Sequence, residues 1–233
     1  MTIQPSKTQL DFDHIAGLSN DEWNHNNHYY SFLLKHIPLS IECDALEIGC
    51  GTGSFTRLLA QRFRRVLALD LSPHMIEIAK ERSNQYRNID FQVADVMTQE
   101  FRPGQFGCVT SIATLHHLPF EPILFKMKSA LKVGGMFLVL DLFKPETLAD
   151  FSTSLLAVPV NIILRLIKNG RIREPKEIQA AWAEHLRTDI YPTLSQVHQA
   201  CVILPKAQIK RHLLWRYSIV WKQEQNLLQP KPG

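Results

Sequence analysis

Two carboxylates bracket a glycine-rich turn early in the chain. Glu47 ends a strand-like run in LEIGCGTGSF, and Gly49, Gly51 and Gly53 follow at alternate positions. Glycine opens backbone torsions closed to other residues, and its missing Cβ lets a ligand lie against the chain. The residues after Gly53 read as a helix, whose N-terminus offers unpaired N–H groups. The spacing G-x-G-x-G differs from the dinucleotide G-x-G-x-x-G, and the G-K-[ST] of a P-loop is missing. The expected ligand is nucleotide-like but has no phosphates to cradle. Asp70 ends the next strand, in LALDLS, where an acid can accept both hydroxyls of a ribose. Its alternative role, capping the following helix, falls to Ser72.

Histidines supply a second chemistry. The segment EWNHNNHYYSFLL, Glu22 to Leu34, holds two histidines, three asparagines and two tyrosines. At about 100° per residue a helix gathers Trp23, Tyr30, Leu33, Leu34 and Ile37 on one face. His25, His28, Tyr29, Phe32 and His36 gather on a second, where a helix covering a cleft would show them to it. A solvated polar face is the plain alternative. His116 and His117, in SIATLHHLP, either face a site or pack the next helix. Neutral imidazoles bind zinc, iron or copper. A set of His25 and His28 with His116, His117 or Asp141 is the metal alternative, but i,i+3 histidines lack a clear third ligand. No metal is expected.

The elements that must position these groups follow from pattern. Residues 1–18 lack periodicity and read as a loose arm. SNDE, Ser19 to Glu22, fits a capping box that opens a helix running to Ile37, before Pro38. From Asp44 to Phe143 strands and helices alternate: DALEIGCGTG, RVLALDLS, NIDFQVADV, FGCVTSIATL and GMFLVLDLF are strands. SFTRLLAQRF, SPHMIEIAKERSNQY and FEPILFKMKSALK are the helices between them. Ser72 as N-cap with Pro73 at the first helical position is a clean start. Near-continuous apolar strands between helices indicate a parallel sheet covered on both faces. Beyond Lys144 the pattern turns helical, and TLSQVHQACVIL is a further helix. KAQIKRHLLW and RYSIVWKQ then read as an antiparallel hairpin, followed by a frayed tail. The expected fold class is α/β, a Rossmann-like doubly wound sheet, mostly parallel, ending in that hairpin.

Composition narrows the classes. The 233 residues are 45% hydrophobic and 21% charged, ordinary for a globular protein with a sizeable core. The expected organisation is one domain over 1–233: a cap helix at 19–38, a ligand-binding core at 44–143, a helical insertion at 144–191, and a closing helix and hairpin at 192–223. Leu155 to Ile167, interrupted by Pro159, Asn161 and Arg165, reads as too short and broken to span a bilayer. No signal peptide is evident. Cys43, Cys50, Cys108 and Cys201 form no C-x-x-C pair, which points to a reduced, cytoplasmic setting. Residues 1–141 carry 13 Lys/Arg against 15 Asp/Glu, and residues 142–233 carry 13 against 7. The basic part reads as a solvated surface or a face for an acidic partner.

LEIGCGTG, Asp70, ADV around Asp95 and LKVGGMFLVLD together resemble a class I S-adenosylmethionine-dependent methyltransferase, over about Asp44 to Asp141. The resemblance implies that Glu47 and the loop Gly49, Cys50, Gly51, Gly53 hold the methionine part of S-adenosylmethionine. Asp70 takes the ribose hydroxyls, Leu71 and Met75 flank the adenine, and Asp95 and Val96 lie at its edge. Ile112 and Ala113 approach the sulfonium. One departure stands out: the family often opens its fourth strand with Phe-Asp, and here the pair is Phe106-Gly107. In this superfamily the chain before the glycine loop often closes over the cofactor. Asn26, His28 and Tyr29 are therefore expected to lid the site, and His25 or His28 to orient or deprotonate the acceptor.

SIATLHHLP lacks the [Asp/Asn]-Pro-Pro-aromatic sequence of base-amine and amide methylating enzymes and resembles the small-molecule branch. The expected reaction is methyl transfer by SN2 displacement to a small, apolar or aromatic acceptor, yielding S-adenosylhomocysteine. The insertion is expected to cover that acceptor, to form a homodimer contact, or to pack on the sheet. A membrane-surface role is disfavoured because its polar residues form no strongly basic face. No feature points to DNA. An RNA methyltransferase, with Arg165, Lys168, Arg171, Arg173 and Lys176 on phosphates, is the first alternative, and no appended RNA-binding motif supports it. A non-catalytic cofactor-binding partner protein is the second.

Overall fold

A computed structural model describes residues 6–18, 22–38, 41–187 and 189–224. Seven strands form one sheet in the order β3-β2-β1-β4-β5-β7-β6. β1 (Ile41–Ile48), β2 (Phe63–Asp70), β3 (Ile89–Val93), β4 (Phe106–Ile112) and β5 (Leu131–Leu142) run parallel. β6 (Gln208–His212) and β7 (Arg216–Lys222) form the expected antiparallel hairpin against β5. The strand order reverses between β1 and β4. In open α/β sheets that reversal opens a crevice beyond the carboxyl ends of the strands.

Alternation along β5 divides the core. Phe137 and Val139 face α5 (Phe120–Ala130) and α8 (Leu194–Ala200), where Ile123, Leu124, Met127 and Val197 are buried. Leu138 and Leu140 face the opposite layer, with Leu33 of α2 (Tyr30–Leu34) and Phe55 and Leu59 of α3 (Ser54–Ala60). This two-residue period is what a sheet buried on both faces requires. α4 (Pro73–Arg82) starts as expected: Ser72 Oγ accepts from Met75 N at 3.0 Å, with Pro73 in the first turn. α6 (Leu148–Asn169) begins with a Thr147–Asp150 capping box and ends at Gly170, φ +68°. α7 (Lys176–Leu186) completes the cover.

Three expectations are corrected. Residues 7–18 are not a loose arm: α1 (Lys7–Leu18) is a helix whose Ile15 and Ala16 are buried with Met75 of α4 and Ala181 of α7. Tertiary packing stabilises a helix that its own periodicity does not announce. The histidine-rich segment is not helical from its start. A 3₁₀ turn at Asn27–Tyr29 leads into the short α2. Asparagine side chains explain this. Asn24 Oδ1 accepts from Asn26 N at 2.9 Å and Asn27 N at 3.0 Å, and Asn27 Nδ2 donates to Glu22 O at 2.8 Å. These bonds give the backbone an alternative to helix. Ser19, the expected N-cap, lies outside the described residues, as does the 225–233 tail. Third, Pro159, Asn161 and Arg165 do not interrupt α6, which runs 22 residues. By length and composition alone it is long and apolar enough to cross a membrane.

The Phe106-Gly107 departure has a steric cause. A Cβ at Gly107 would lie 1.9 Å from Cys43 Sγ. Gly107→Ala is expected to cost about 1–3 kcal/mol through overpacking. Cys43→Ala in the same chain is expected to restore most of that loss, measured by urea unfolding of both variants.

Candidate active site

The crevice is built from the ends of β1, β2 and β4. Gly49, Gly51 and Gly53 all adopt left-handed torsions, φ +69°, +52° and +76°. A Cβ on Gly49 would sit 2.0 Å from Thr114 Oγ1, so this glycine lets the first turn press against the segment after β4. Gly51 faces open space. Its N–H donates to Asp70 Oδ2 at 2.8 Å, and Ser72 N donates to Asp70 Oδ1 at 3.0 Å. Asp70 is thereby aimed at the glycine loop, and burial holds its carboxyl above the ordinary range despite those bonds. Glu47 is buried and accepts from Thr56 Oγ1 at 2.5 Å, and burial pushes its carboxyl up to about 8. A cationic group near Glu47 would offset that cost. Open space at Gly51, an oriented Asp70 and an under-compensated Glu47 suit a ligand carrying a ribose and an ammonium.

Neighbouring residues complete the groove. Leu71 is half-buried, and Met75 and Val96 are buried. Asp95 is exposed and accepts from Met97 N at 2.8 Å. Ile112 is buried at the end of β4, and Ala113 follows with φ +50°, a strained torsion for a residue with a Cβ. Cys50 is buried, which raises its thiol.

Beyond β4 lies a second, polar chamber. His116 Nδ1 donates to Asp141 Oδ1 at 2.6 Å, and His116 N donates to Asp141 Oδ2 at 3.0 Å. Burial works against charge on His116, but Asp141, helped by Asp189, raises it to about 9. His117 behaves oppositely: burial and the His116 charge lower it to about 4. Its ring lies 3.9 Å from that of His116, and its Nε2 is buried without a hydrogen-bond partner. Asp189 closes the chamber, 3.8 Å from His116 Nε2, 3.6 Å from His117 Nδ1 and 3.3 Å from His185 Nε2. Tyr191 OH donates to Asp189 Oδ2 at 2.8 Å, and Phe12 of α1 packs edge-on against His117 and tilted against His185. One donor atom each from His116, His117 and Asp189 lie within 4.8 Å of one another, a set that could hold a metal ion.

The N-terminal segment borders this chamber through the β6–β7 turn. Tyr29 OH donates to Leu213 O at 2.7 Å, and Arg216 Nε donates to Asn26 Oδ1 at 2.9 Å. His25 Nε2 lies 2.8 Å from Asn161 Oδ1, an acceptor, so Nε2 carries the proton and Nδ1 is left bare. Burial lowers His25 to about 4. His28 Nδ1 accepts from Trp23 Nε1 at 3.4 Å, near the surface.

Comparison with known proteins shows what this arrangement is similar to. Residues 46–139 match the model described as "Methyltransferase domain". Over this stretch, under half of its length, the chain is similar to a methyltransferase domain. The 2-phytyl-1,4-naphtoquinone methyltransferase of Thermosynechococcus vestitus is 32% identical over 151 residues, covering 59% of this chain and 65% of that protein. The ubiquinone biosynthesis O-methyltransferase of Xanthomonas euvesicatoria is 28% identical over 192 residues, covering 75% and 78%. The phosphoethanolamine N-methyltransferase 2 of Haemonchus contortus, solved in complex with S-adenosyl-L-methionine, shares the fold with a TM-score of 0.59 at 18% identity. That likeness covers 86% of this chain and 42% of the other.

The methyltransferase domain match runs from β1 to β5 and so contains the glycine loop, Asp70, Asp95, Ile112, His116 and His117. His25, Asn26, His28 and Tyr29 lie outside it. The structure gathers the expected residues into two groups: the loop with Asp70, and His116 with His117. Asn26 and Tyr29 are bonded to the β6–β7 turn. Sequence reading missed Asp13, whose carboxylate bonds Ser72 Oγ beside Asp70. It also missed Asp189, His185, Tyr191 and Arg216, which are scattered in sequence and carry no motif.

His116 offers a direct test. Its pKa is above its ordinary 6.5 in the folded chain, so its stabilising contribution is full below 6.5 and lost as pH rises through about 9. Asp141→Asn is expected to flatten that fall. Thermal unfolding across this range, with NMR titration of the His116 ring, measures it.

Proposed function

We propose that this protein is an S-adenosylmethionine-dependent methyltransferase acting on a small organic acceptor with an apolar or aromatic body. The observation that carries the reading is the pairing of the two sites. A ribose- and ammonium-suited crevice ends at the strained Ala113, and the polar histidine chamber begins three residues later. S-adenosylmethionine supplies, when bound, a methyl group already activated on a sulfonium. The chain's own work is then to hold the acceptor, exclude water and accept a proton where the acceptor carries one. Positioning alone is worth roughly 7–11 kcal/mol of such a barrier.

Asp70 would take the ribose hydroxyls and Glu47 the ammonium. Leu71, Met75, Asp95 and Val96 would border the base, with Cys50 and the three glycines along the methionine part. Among the histidines, the opposite shifts of His116 and His117 support a division of roles. His116 is held charged by Asp141, so it cannot accept a proton, and it serves to orient. His117 is held neutral with a bare or unpartnered nitrogen, and neighbours whose environments push their pKa values apart divide acid and base roles. We assign His117 as the proton acceptor. His25 flanks the chamber through Asn26 and Arg216. The relatives named for quinone pathways favour a small-molecule acceptor over RNA.

Transfer of labelled methyl from S-adenosylmethionine into fractionated cell extract tests the reading. Label is expected in the small-molecule fraction. Asp70→Ala is expected to weaken cofactor binding at least ~10-fold, as loss of a charged hydrogen-bonding partner does. His117→Gln is expected to lower kcat about 10²–10⁴-fold with cofactor affinity kept. Label in RNA, or full turnover by His117→Gln, would sink the corresponding assignment.

A further inference from the structure

One helix has its polarity reversed. α6 turns four of its polar side chains toward the protein, while Ser152 and Lys168 stay exposed. Asp150 bonds Arg211 at 2.7 Å, Asn161 bonds His25 at 2.8 Å, Arg165 bonds Glu174, and Asn169 bonds the Trp23 backbone at 2.9 Å. Its outward side shows Leu148, Phe151, Leu155, Leu156, Ile163 and Ile167, which are 90%, 57%, 74%, 63%, 55% and 70% exposed. At 3.6 residues per turn the outward apolar residues span about half the circumference, ~180°. No charged residue falls in that arc. The helix's one acid, Asp150, is buried and bound to Arg211.

The C-terminal end of the same helix runs into a basic corner. Between 165 and 177 the chain carries Arg165, Lys168, Arg171, Arg173 and Lys176 against Glu174 and Glu177, and Arg165 and Arg171 are paired with Glu174. Lys168, Arg173 and Lys176 are exposed, and so is Ile172 between two arginines.

Against the expectation from sequence, we propose that α6 lies in the surface of an anionic lipid bilayer. Its apolar arc would sit in the acyl boundary, with Lys168, Arg173 and Lys176 on headgroup phosphates. An apolar arc on a helix that ends in a cluster of exposed cations is a pattern that interfacial helices use. Charge complementarity selects this occupant. A second copy brings no acid on its own α6 face to meet the basic corner. Spanning is disfavoured because the inward side chains are already bonded to Arg211, His25, Glu174 and Trp23, and lipid would leave them unpaired. The proposal does not depend on the reaction proposed above.

Co-sedimentation of the full chain with phosphatidylglycerol–phosphatidylcholine vesicles tests it, against phosphatidylcholine alone. Binding is expected with the anionic vesicles, weakened by high salt. Leu155→Glu with Ile163→Glu is expected to reduce it at least ~10-fold. Lys168→Glu with Arg173→Glu is expected to remove the preference for anionic lipid. Circular dichroism and cofactor binding check that each variant stays folded. Absence of wild-type partitioning would overturn the proposal, as would unchanged binding of the double glutamate variant. A stable dimer in sedimentation that this variant dissociates would assign the face to a second copy. Retention of RNA in place of vesicles would assign the basic corner to nucleic acid.

Discussion

A carboxylate removed from water must be bonded or neutralised, and Asp141 is fully buried at the end of β5. It is satisfied by the ring and backbone N–H of His116 and by Leu142 N at 2.8 Å. Much of the chamber follows from this one demand. Because Asp141 holds the proton on His116, His116 is charged. Because His116 is charged and 3.9 Å away, His117 is driven further toward the neutral form. Asp189 then faces two imidazoles in different charge states, with His185 as a third. The backbone bond from His116 N to Asp141 also ties the segment after β4 to the neighbouring strand, so charge and geometry are set by the same group.

The other fixed point is the β6–β7 turn. Leu214 and Trp215 both hold left-handed torsions, φ +59° and +58°. Tight hairpins demand such torsions of their central residues and normally place glycine or asparagine there. Two bulky residues in this conformation store strain. What they gain is position. Leu214 is fully buried in the α2–α3 side of the core, and Trp215 lies 5.6 Å from His25. Leu213 O receives Tyr29 OH, and Arg216 reaches Asn26. A hairpin far along the chain thereby anchors the N-terminal histidine segment over the sheet.

How much of this was legible depended on whether the signal was local. The glycine loop, Asp70, the Ser72–Pro73 start and the alternating strands each depend on residues close in sequence, and each stands where expected. The segment 22–29 failed for a local reason that a wheel cannot see. Asn24 and Asn27 bond the backbone and withhold it from helix. α1 failed for a non-local reason, since Ile15 and Ala16 are core residues only against Met75 and Ala181. Asp189 is the clearest case. Its partners are His116, His117 and His185, and nothing at position 189 itself foretells that meeting. Gly107 was noticed as a departure, but its cause lies across the sheet in Cys43.

α6 shows a different limit of pattern. An apolar arc and a polar arc on one helix establish that the two faces meet different surroundings, but periodicity is silent on which face turns inward. The common outcome buries the apolar side. Here the polar side finds specific partners in Arg211, His25, Glu174 and the Trp23 backbone. These bonds weigh against the roughly 25 cal/mol per Å² gained by burying apolar surface on the sheet. The balance tips further if the outward residues are not left in water. A helix whose polar side is used up within the protein and whose apolar arc looks outward is therefore best understood as a surface waiting for an apolar medium, and the cations at its end specify the charge of that medium.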